Sequence, residues 1–243
     1  MLGGFDMKNK GVSVVVAAAG TGKRMNAGKN KQFLNIDGLP VLVRTLKVFS
    51  EWKMTAEIII VAKEDEVCEI KNLVEQNRIN KVKKIICGGA TRQKSVFNGI
   101  KEASEEYVFI HDGARPFVEQ NCLFDLLEAV EKKGAAALGI VPKDTVAVVD
   151  DDGFLEASPK RTCLRNMQTP QAFKTAEILK AHNSAEEQKL EFTDDCSLYS
   201  AQGGKVFIVC GSEDNIKITV PEDLIVAEKI AMMRKKANNE RKF

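Results

Sequence analysis

Short apolar runs rich in β-branched residues alternate with amphipathic segments along most of the chain. The apolar runs predict strands over residues 12–18, 57–62, 82–87, 107–111, 135–141 and 205–210. Apolar positions recurring at helical spacing predict helices over 40–50, 64–76, 92–104 and 120–132. Pro40 and Pro221 each suit a first helical position, where a missing N–H costs nothing. Strands alternating with helices of this length predict an α/β fold, a mostly parallel sheet covered on both faces. The alternation breaks between Lys143 and Arg165. There the run from Thr145 to Val149, then Asp150-Asp151-Asp152-Gly153, then Phe154-Leu155 read as a β-hairpin with an Asp-Gly turn. That stretch is too short to fold alone. One domain with an arm at about 143–165 is expected, the arm protruding toward a partner subunit.

In open parallel sheets ligands lie outside the carboxyl ends of the strands. Three polar, glycine-bearing loops fall at such ends. The first strand runs into Ala17-Ala18-Ala19-Gly20-Thr21-Gly22-Lys23-Arg24-Met25, with Lys31-Gln32 soon after; another ends at Gly88-Gly89 and another at His111-Asp112-Gly113-Ala114-Arg115. Small residues let the backbone approach a ligand closely, and N–H groups facing into such a loop bind anions. Arg24 and Lys31 can then neutralise charge that builds on a phosphoryl group. Spacing excludes two familiar phosphate loops. A Walker loop needs Gly-x-x-x-x-Gly-Lys-Ser/Thr, whereas Gly20 lies two residues before Gly22 and Lys23 is followed by Arg24. A dinucleotide fingerprint needs a third glycine where Met25 stands.

Composition narrows the partners. The 243 residues are 44% hydrophobic and 29% charged, as in an ordinary globular protein. The 36 basic and 34 acidic side chains leave a net charge of +2, so bulk charge points to neither nucleic acid nor membrane. No apolar stretch reaches the roughly 18 residues of a membrane span, and the first ten residues lack an apolar signal region. The basic run 234–242 reads as a solvated helix end. Six cysteines show no Cys-x-x-Cys pairing, and four sit in apolar stretches, so small buried hydrophobes are expected. With only two histidines a zinc site is not expected. A reducing, cytoplasmic location is expected.

Asp112, at a strand end beside a phosphate loop, could hold Mg²⁺, bind a hydroxyl or cap the next helix. His111 directly follows Val108-Phe109-Ile110 and is expected to be a packed core histidine. The segments Ala-Ala-Gly-Thr-Gly-Lys-Arg-Met (18–25), Lys-Gln-Phe-Leu (31–34), Gly-Gly-Ala-Thr-Arg-Gln-Lys-Ser-Val (88–96) and His-Asp-Gly-Ala-Arg-Pro-Phe (111–117) share one order with four later ones. Those are Val-Pro-Lys-Asp-Thr (141–145), Gln-Thr-Pro-Gln-Ala-Phe (168–173), Thr-Asp-Asp (193–195) and Asp-Asn-Ile-Lys-Ile-Thr (214–219). Together they resemble the isoprenoid-pathway cytidylyltransferase family, from about Val12 to Ile230. One departure is Asn30, which precedes Lys31 where that family usually has proline.

The resemblance implies a Rossmann-like three-layer nucleotidyltransferase fold. It also implies transfer of a cytidylyl group from CTP to 2-C-methyl-D-erythritol 4-phosphate, with Mg²⁺ present and carried mainly by the CTP phosphates. Carried over residue by residue, Arg24 and Lys31 would be the catalytic cations at the α-phosphate. Arg161, eight residues before Thr169, and Lys217 would position the substrate phosphate. Asp112, Arg115, Thr145, Thr169 and Thr193 would contact the substrate. Ala18, Ala19, Gly20, Gly22, Gly88, Ser95 and Gly113 would bind the nucleotide. The resemblance further implies a homodimer locked by the arm, with Arg161 and Thr145 serving the neighbouring subunit's site. The alternatives are a ribitol-5-phosphate cytidylyltransferase and a nucleotide-binding module without turnover. The retained cations Arg24, Lys31, Arg161 and Lys217 weigh against the module.

Overall fold

The computed structural model describes residues 11–20 and 30–240. Its elements follow in chain order: β1 (Val12–Ala17), β2 (Asn35–Ile36), β3 (Leu39–Pro40), α1 (Val41–Glu51), β4 (Thr55–Ala62), α2 (Val67–Gln76), β5 (Val82–Cys87), α3 (Arg92–Lys101) and β6 (Tyr107–Asp112). The second half comprises α4 (Gln120–Lys133), β7 (Ala135–Ile140), β8 (Val148–Val149), β9 (Leu155–Ala157), β10 (Asn166–Lys174), α5 (Thr175–Glu187), α6 (Asp195–Ala201), β11 (Phe207–Cys210) and α7 (Pro221–Glu240).

Seven strands form one sheet in the order β11-β7-β10-β6-β1-β4-β5. All neighbours run parallel except β10, which is antiparallel to both β6 and β7. Side chains alternate across this sheet, as the two-residue strand period requires. Val14, Val16, Ile58, Ile60 and Phe109 face α1, α2 and α4, packing on Leu42, Phe49, Ile70 and Leu126. Val15, Ile59, Val61, Val108 and Ile110 face α3, α5 and α6, packing on Val96, Ile100, Ile178 and Leu198. This is a three-layer α/β fold. A third apolar cluster lets α7 cover one end: Ile218, Ala227 and Ile230 pack on Ile36, Val41 and Phe117.

The predicted strands and the four predicted helices are present, with shifts at their ends. Pro40 closes β3 and caps α1 instead of opening it, and residues 64–66 form a 3-10 turn before α2. Helix α3 ends at Lys101, short of the predicted Ser104. Pro221 does open α7. The hairpin is shorter on its first side than expected: β8 spans only Val148–Val149, facing β9. Its turn is held by Asp150, whose carboxylate accepts from the N–H groups of Asp152 (3.1 Å) and Phe154 (2.8 Å), while Gly153 takes φ +88°. The cysteine expectation is corrected. Only Cys196 is buried, while Cys68, Cys87, Cys163 and Cys210 are exposed. Cys87 and Cys210 sit on β5 and β11, the two sheet edges, where an apolar run is not covered on every side.

Helix α3 lies unusually close to the sheet because Gly99 has no side chain. A Cβ there would come within 2.5 Å of Val15 Cγ1 and 2.8 Å of Val61 Cγ2. Both are methyl groups of stiff, buried residues that cannot swing aside. Gly99→Ala therefore destabilises the protein by a net amount of about 1–2 kcal/mol, overpacking outweighing the gain in helix propensity. Urea unfolding checks this; a stability gain would show that α3 can move away from the sheet.

Candidate active site

At the carboxyl ends of β1, β5 and β6 the three glycine-bearing loops come together around a cleft of about 310 Å³. Its walls include Ala18, Ala19, Gly20, Lys31, Ser95, Asp112 and Lys217. An adjoining cavity of about 380 Å³ continues from Asp112 and Lys217 past Arg115, Thr169 and Thr193. The β-sheet sets this convergence: β6, β1, β4 and β5 are consecutive and parallel, so the loops after β6, β1 and β5 leave the same edge.

The backbone approaches closely where small residues permit it. A Cβ on Gly88 would lie 2.7 Å from Ala19 Cβ and 2.8 Å from Ser95 Oγ. Gly88 and Gly113 lie just behind the cleft wall: the Gly88 N–H donates to Ala62 O (2.7 Å) and the Gly113 N–H to Ala17 O (3.0 Å). They shape the cleft from beneath. The Ser95 hydroxyl accepts from the Gly89 N–H (3.0 Å) and donates to Thr91 O (2.8 Å), fixing the loop before α3. Thr91 caps α3, its side chain accepting from the Lys94 N–H.

Asp112 is the electrostatic centre. It is 7% exposed. Lys217 Nζ stands 2.9 Å from Oδ2, Arg115 Nε 3.5 Å from Oδ2 and Arg92 Nε 3.7 Å from Oδ1. Burial pushes the carboxyl upward, but Lys217 and Arg92 outweigh it and hold Asp112 well below the usual carboxylate range. Arg115 is pushed down by burial and partly restored by Asp112. Its guanidinium also donates to Asn215 O (2.8 Å), and the Asn215 amide donates to Thr169 O (2.9 Å), which ties the loop carrying Lys217 to β10.

Sequence reasoning left Arg92 out of the site. Its NH1 lies 2.9 Å from Asp195 Oδ2, and His182 Nε2 lies 3.1 Å from Asp195 Oδ1. Asp195 and His182 are each 1% exposed. Burial works against the charge on Arg92, but Asp195 and then Asp112 raise its pKa, so it stays cationic. A cation in the first turn of a helix opposes the helix dipole. That placement was the available signal: an arginine right after a glycine pair and a capping threonine needs anions nearby.

Of the other predicted residues, Gly22 and Arg24 lie outside the described residues. Arg161 and Thr145 are exposed on the arm segment and do not reach this cleft within the chain; the Arg161 guanidinium donates to Lys143 O (3.0 Å). His111 is wholly buried, as expected of a packed histidine. Its Nε2 meets Arg115 O (2.9 Å), its Nδ1 meets Thr169 Oγ1 (3.1 Å), and burial lowers its pKa to about 4. Among the described residues no group of three or more His, Cys, Asp or Glu could hold a metal. The cleft's own carboxylate, Asp112, is already matched by cations, so these residues do not form a protein cage for Mg²⁺.

A family model described as 2-C-methyl-D-erythritol 4-phosphate cytidylyltransferase matches residues 12–234. The chain belongs to this family. A cytidylyltransferase of that name from Clostridium acetobutylicum is 45% identical over 217 residues, covering 88% of this chain and 94% of that protein. Another from Halalkalibacterium halodurans is 46% identical over 219 residues, covering 90% and 96%. The crystal structure of 4-diphosphocytidyl-2C-methyl-D-erythritol synthase from Anaerococcus prevotii superposes with a TM-score of 0.82 at 33% identity, covering 92% of this chain and 96% of that one.

Acid sensitivity of this cytidylyltransferase-family chain follows from His111 and Asp112, with one sign. His111 titrates near 4 in the fold against an ordinary 6.5. Below about pH 6.5 the unfolded chain therefore takes up a proton that the folded chain refuses, and stability falls as pH drops toward 4. Asp112, held low, adds a further loss as pH passes down through the carboxylate range. The urea midpoint is expected to fall from about pH 6.5 to 4, and most of that fall to vanish in His111→Gln. A flat midpoint over this range contradicts the assignment.

Proposed function

We propose that this chain is a 2-C-methyl-D-erythritol 4-phosphate cytidylyltransferase of the non-mevalonate isoprenoid pathway. It joins CTP and the polyol phosphate to give 4-diphosphocytidyl-2-C-methyl-D-erythritol and pyrophosphate. The observation that carries this reading is that the family match spans every described residue of the cleft. The ribitol-5-phosphate alternative is not favoured, since the three relatives described above carry the methylerythritol name.

In the reaction an oxygen of the substrate phosphate attacks the α-phosphorus of CTP. A new P–O bond forms, the bond to the β-phosphate oxygen breaks, and pyrophosphate leaves with that electron pair. Two anions must meet, so the protein's task is placement and charge compensation. Lys31 and Arg24 serve the α-phosphate, and Lys217, paired with Asp112, holds the substrate phosphate. Arg92, anchored by Asp195, adds positive charge to the cleft wall. Asp112, Arg115, Thr169 and Thr193 contact the substrate, while Ala18, Ala19, Gly20, Gly22, Gly88, Ser95 and Gly113 shape the nucleotide pocket. No general base is required, because a phosphate monoester with a second pKa of about 6 is already ionised. His111 fits this reading: both ring nitrogens are engaged and it stays neutral. Mg²⁺ offsets phosphate charge when bound, and we assign it to the triphosphate.

The arm completes the proposed site. Val149, Phe154 and Leu155 are 55%, 72% and 68% exposed, apolar side chains on the arm that a partner can cover. A homodimer buries it and delivers Arg161 and Thr145 to the neighbour's cleft. Exposed thiols at Cys68, Cys87, Cys163 and Cys210 suit a reducing cytoplasm.

Pyrophosphate release from CTP, compared between 2-C-methyl-D-erythritol 4-phosphate and ribitol 5-phosphate, tests the assignment. Release with the first is expected; release only with the second moves the protein to another polyol phosphate. Lys217→Ala is expected to raise KM for the polyol phosphate about 10- to 100-fold, the worth of one charge-assisted hydrogen bond. An effect confined to CTP contradicts that placement. Deleting residues 146–157 is expected to give a monomer of low turnover by light scattering and pyrophosphate assay, and a fully active monomer removes the arm from the site.

A further inference from the structure

Lys31 lines the cleft from a 3-10 helix of three residues, Lys31–Phe33, whose N-cap makes no side-chain capping bond. So short an element does not hold itself in place. Its anchors lie elsewhere. The Asn30 side-chain amide, free of capping duty, donates one hydrogen to Gly20 O (2.9 Å) and the other to Glu66 Oε1 (2.8 Å). The Gln32 amide donates to Glu66 Oε2 (2.6 Å). Gln32 is 3% and Glu66 8% exposed, and Lys63 Nζ stands 3.5 Å from Glu66 Oε1. The two residues flanking Lys31 thus grip the two oxygens of one buried carboxylate. A carboxylate can accept on both oxygens, and bonds to a charged acceptor are stronger than neutral ones.

We propose that Glu66 is a positioning residue: through Asn30 and Gln32 it holds Lys31 at the cleft. The carboxylate comes from the turn after β4, a neighbour of β1 in the sheet, so the rigid sheet sets the position of Lys31. The Gly20 bond ties the chain leaving β1 to the chain entering the 3-10 helix. The proposal rests on Lys31 being a phosphate-stabilising cation.

A double-mutant cycle tests it. Glu66→Gln puts an amide where one acceptor was, and is expected to lower kcat about 10- to 100-fold, as a misplaced catalytic group does. In a Lys31→Ala background the same change is expected to cost nothing further, because its effect passes through Lys31. Hydrogen exchange at the Phe33 and Leu34 amides, which donate to Asn30 O and Lys31 O, is expected to speed at least tenfold in Glu66→Gln. Asn30→Ala, at a half-buried position, serves as the second variant should Glu66→Gln fold poorly, with the same expectations. Equal losses in both backgrounds, or unchanged exchange, overturn the proposal. Full turnover by Lys31→Ala instead removes Lys31 from the reaction and the clamp's catalytic purpose with it, while the exchange rates still report whether the clamp holds the helix.

Discussion

A carboxylate buried at the end of a central strand is tolerable only if cations meet it there. Asp112 is met by Lys217, Arg115 and Arg92, which arrive from the loop before α7, from its own turn and from α3. Removing one partner of a buried ion pair leaves a charge that costs about 3–5 kcal/mol. The reverse holds as well: three cations drawn this close would repel one another without Asp112. The carboxylate therefore gathers positive charge at one spot and keeps it there when no phosphate is bound. Lys217, with 38% of its side chain still exposed, is left able to turn toward an incoming anion.

The layers of hydrogen bonding behind the cations make this arrangement stiff. His182 supports Asp195, Asp195 supports Arg92, and Asn215 joins the Lys217 loop to Thr169. Glu66 supports the residues on either side of Lys31. Phosphoryl chemistry between two anions gains most from charges that need no rearrangement when the reaction occurs. Arg92 and the residues flanking Lys31 are accordingly fixed by Asp195 and Glu66, buried groups that do not line the cleft.

Much of this was legible in the chain. The alternation of β-branched runs with helical periodicity gave the layers, and three glycine-bearing strand ends gave the site's edge. Besides α5 and α6, which the periodicity did not mark, what escaped was β10. Its stretch Gln168-Thr169-Pro170-Gln171 is polar, with a proline that cannot donate to a ladder, so it does not read as a central strand. The sheet accommodates it with an irregular register between Met167 and Gln171, and Gln171 turns its side chain to the N–H groups of Asp195 and Cys196. Arg92 escaped for a related reason: its place in a first helical turn signals anions nearby, but those lie at positions 112 and 195, too far along the chain to be named from it. The cysteines misled because an apolar run on an edge strand looks the same in sequence as one in the interior.

The insertion of β10 between β6 and β7 also orders events during synthesis. Strands β1, β4, β5 and β6 are neighbours in the sheet and all lie before residue 113, so they can pair as the chain emerges. Strand β7 comes next but has no place to dock, because its partner β10 has yet to be made. Until residue 174 has left the ribosome, β6 presents an open row of backbone donors and acceptors, the kind of edge that recruits other chains. A translational pause inside the arm would prolong that exposure. The nascent chain is thus most in need of chaperone cover before its last antiparallel strand arrives, not at its start.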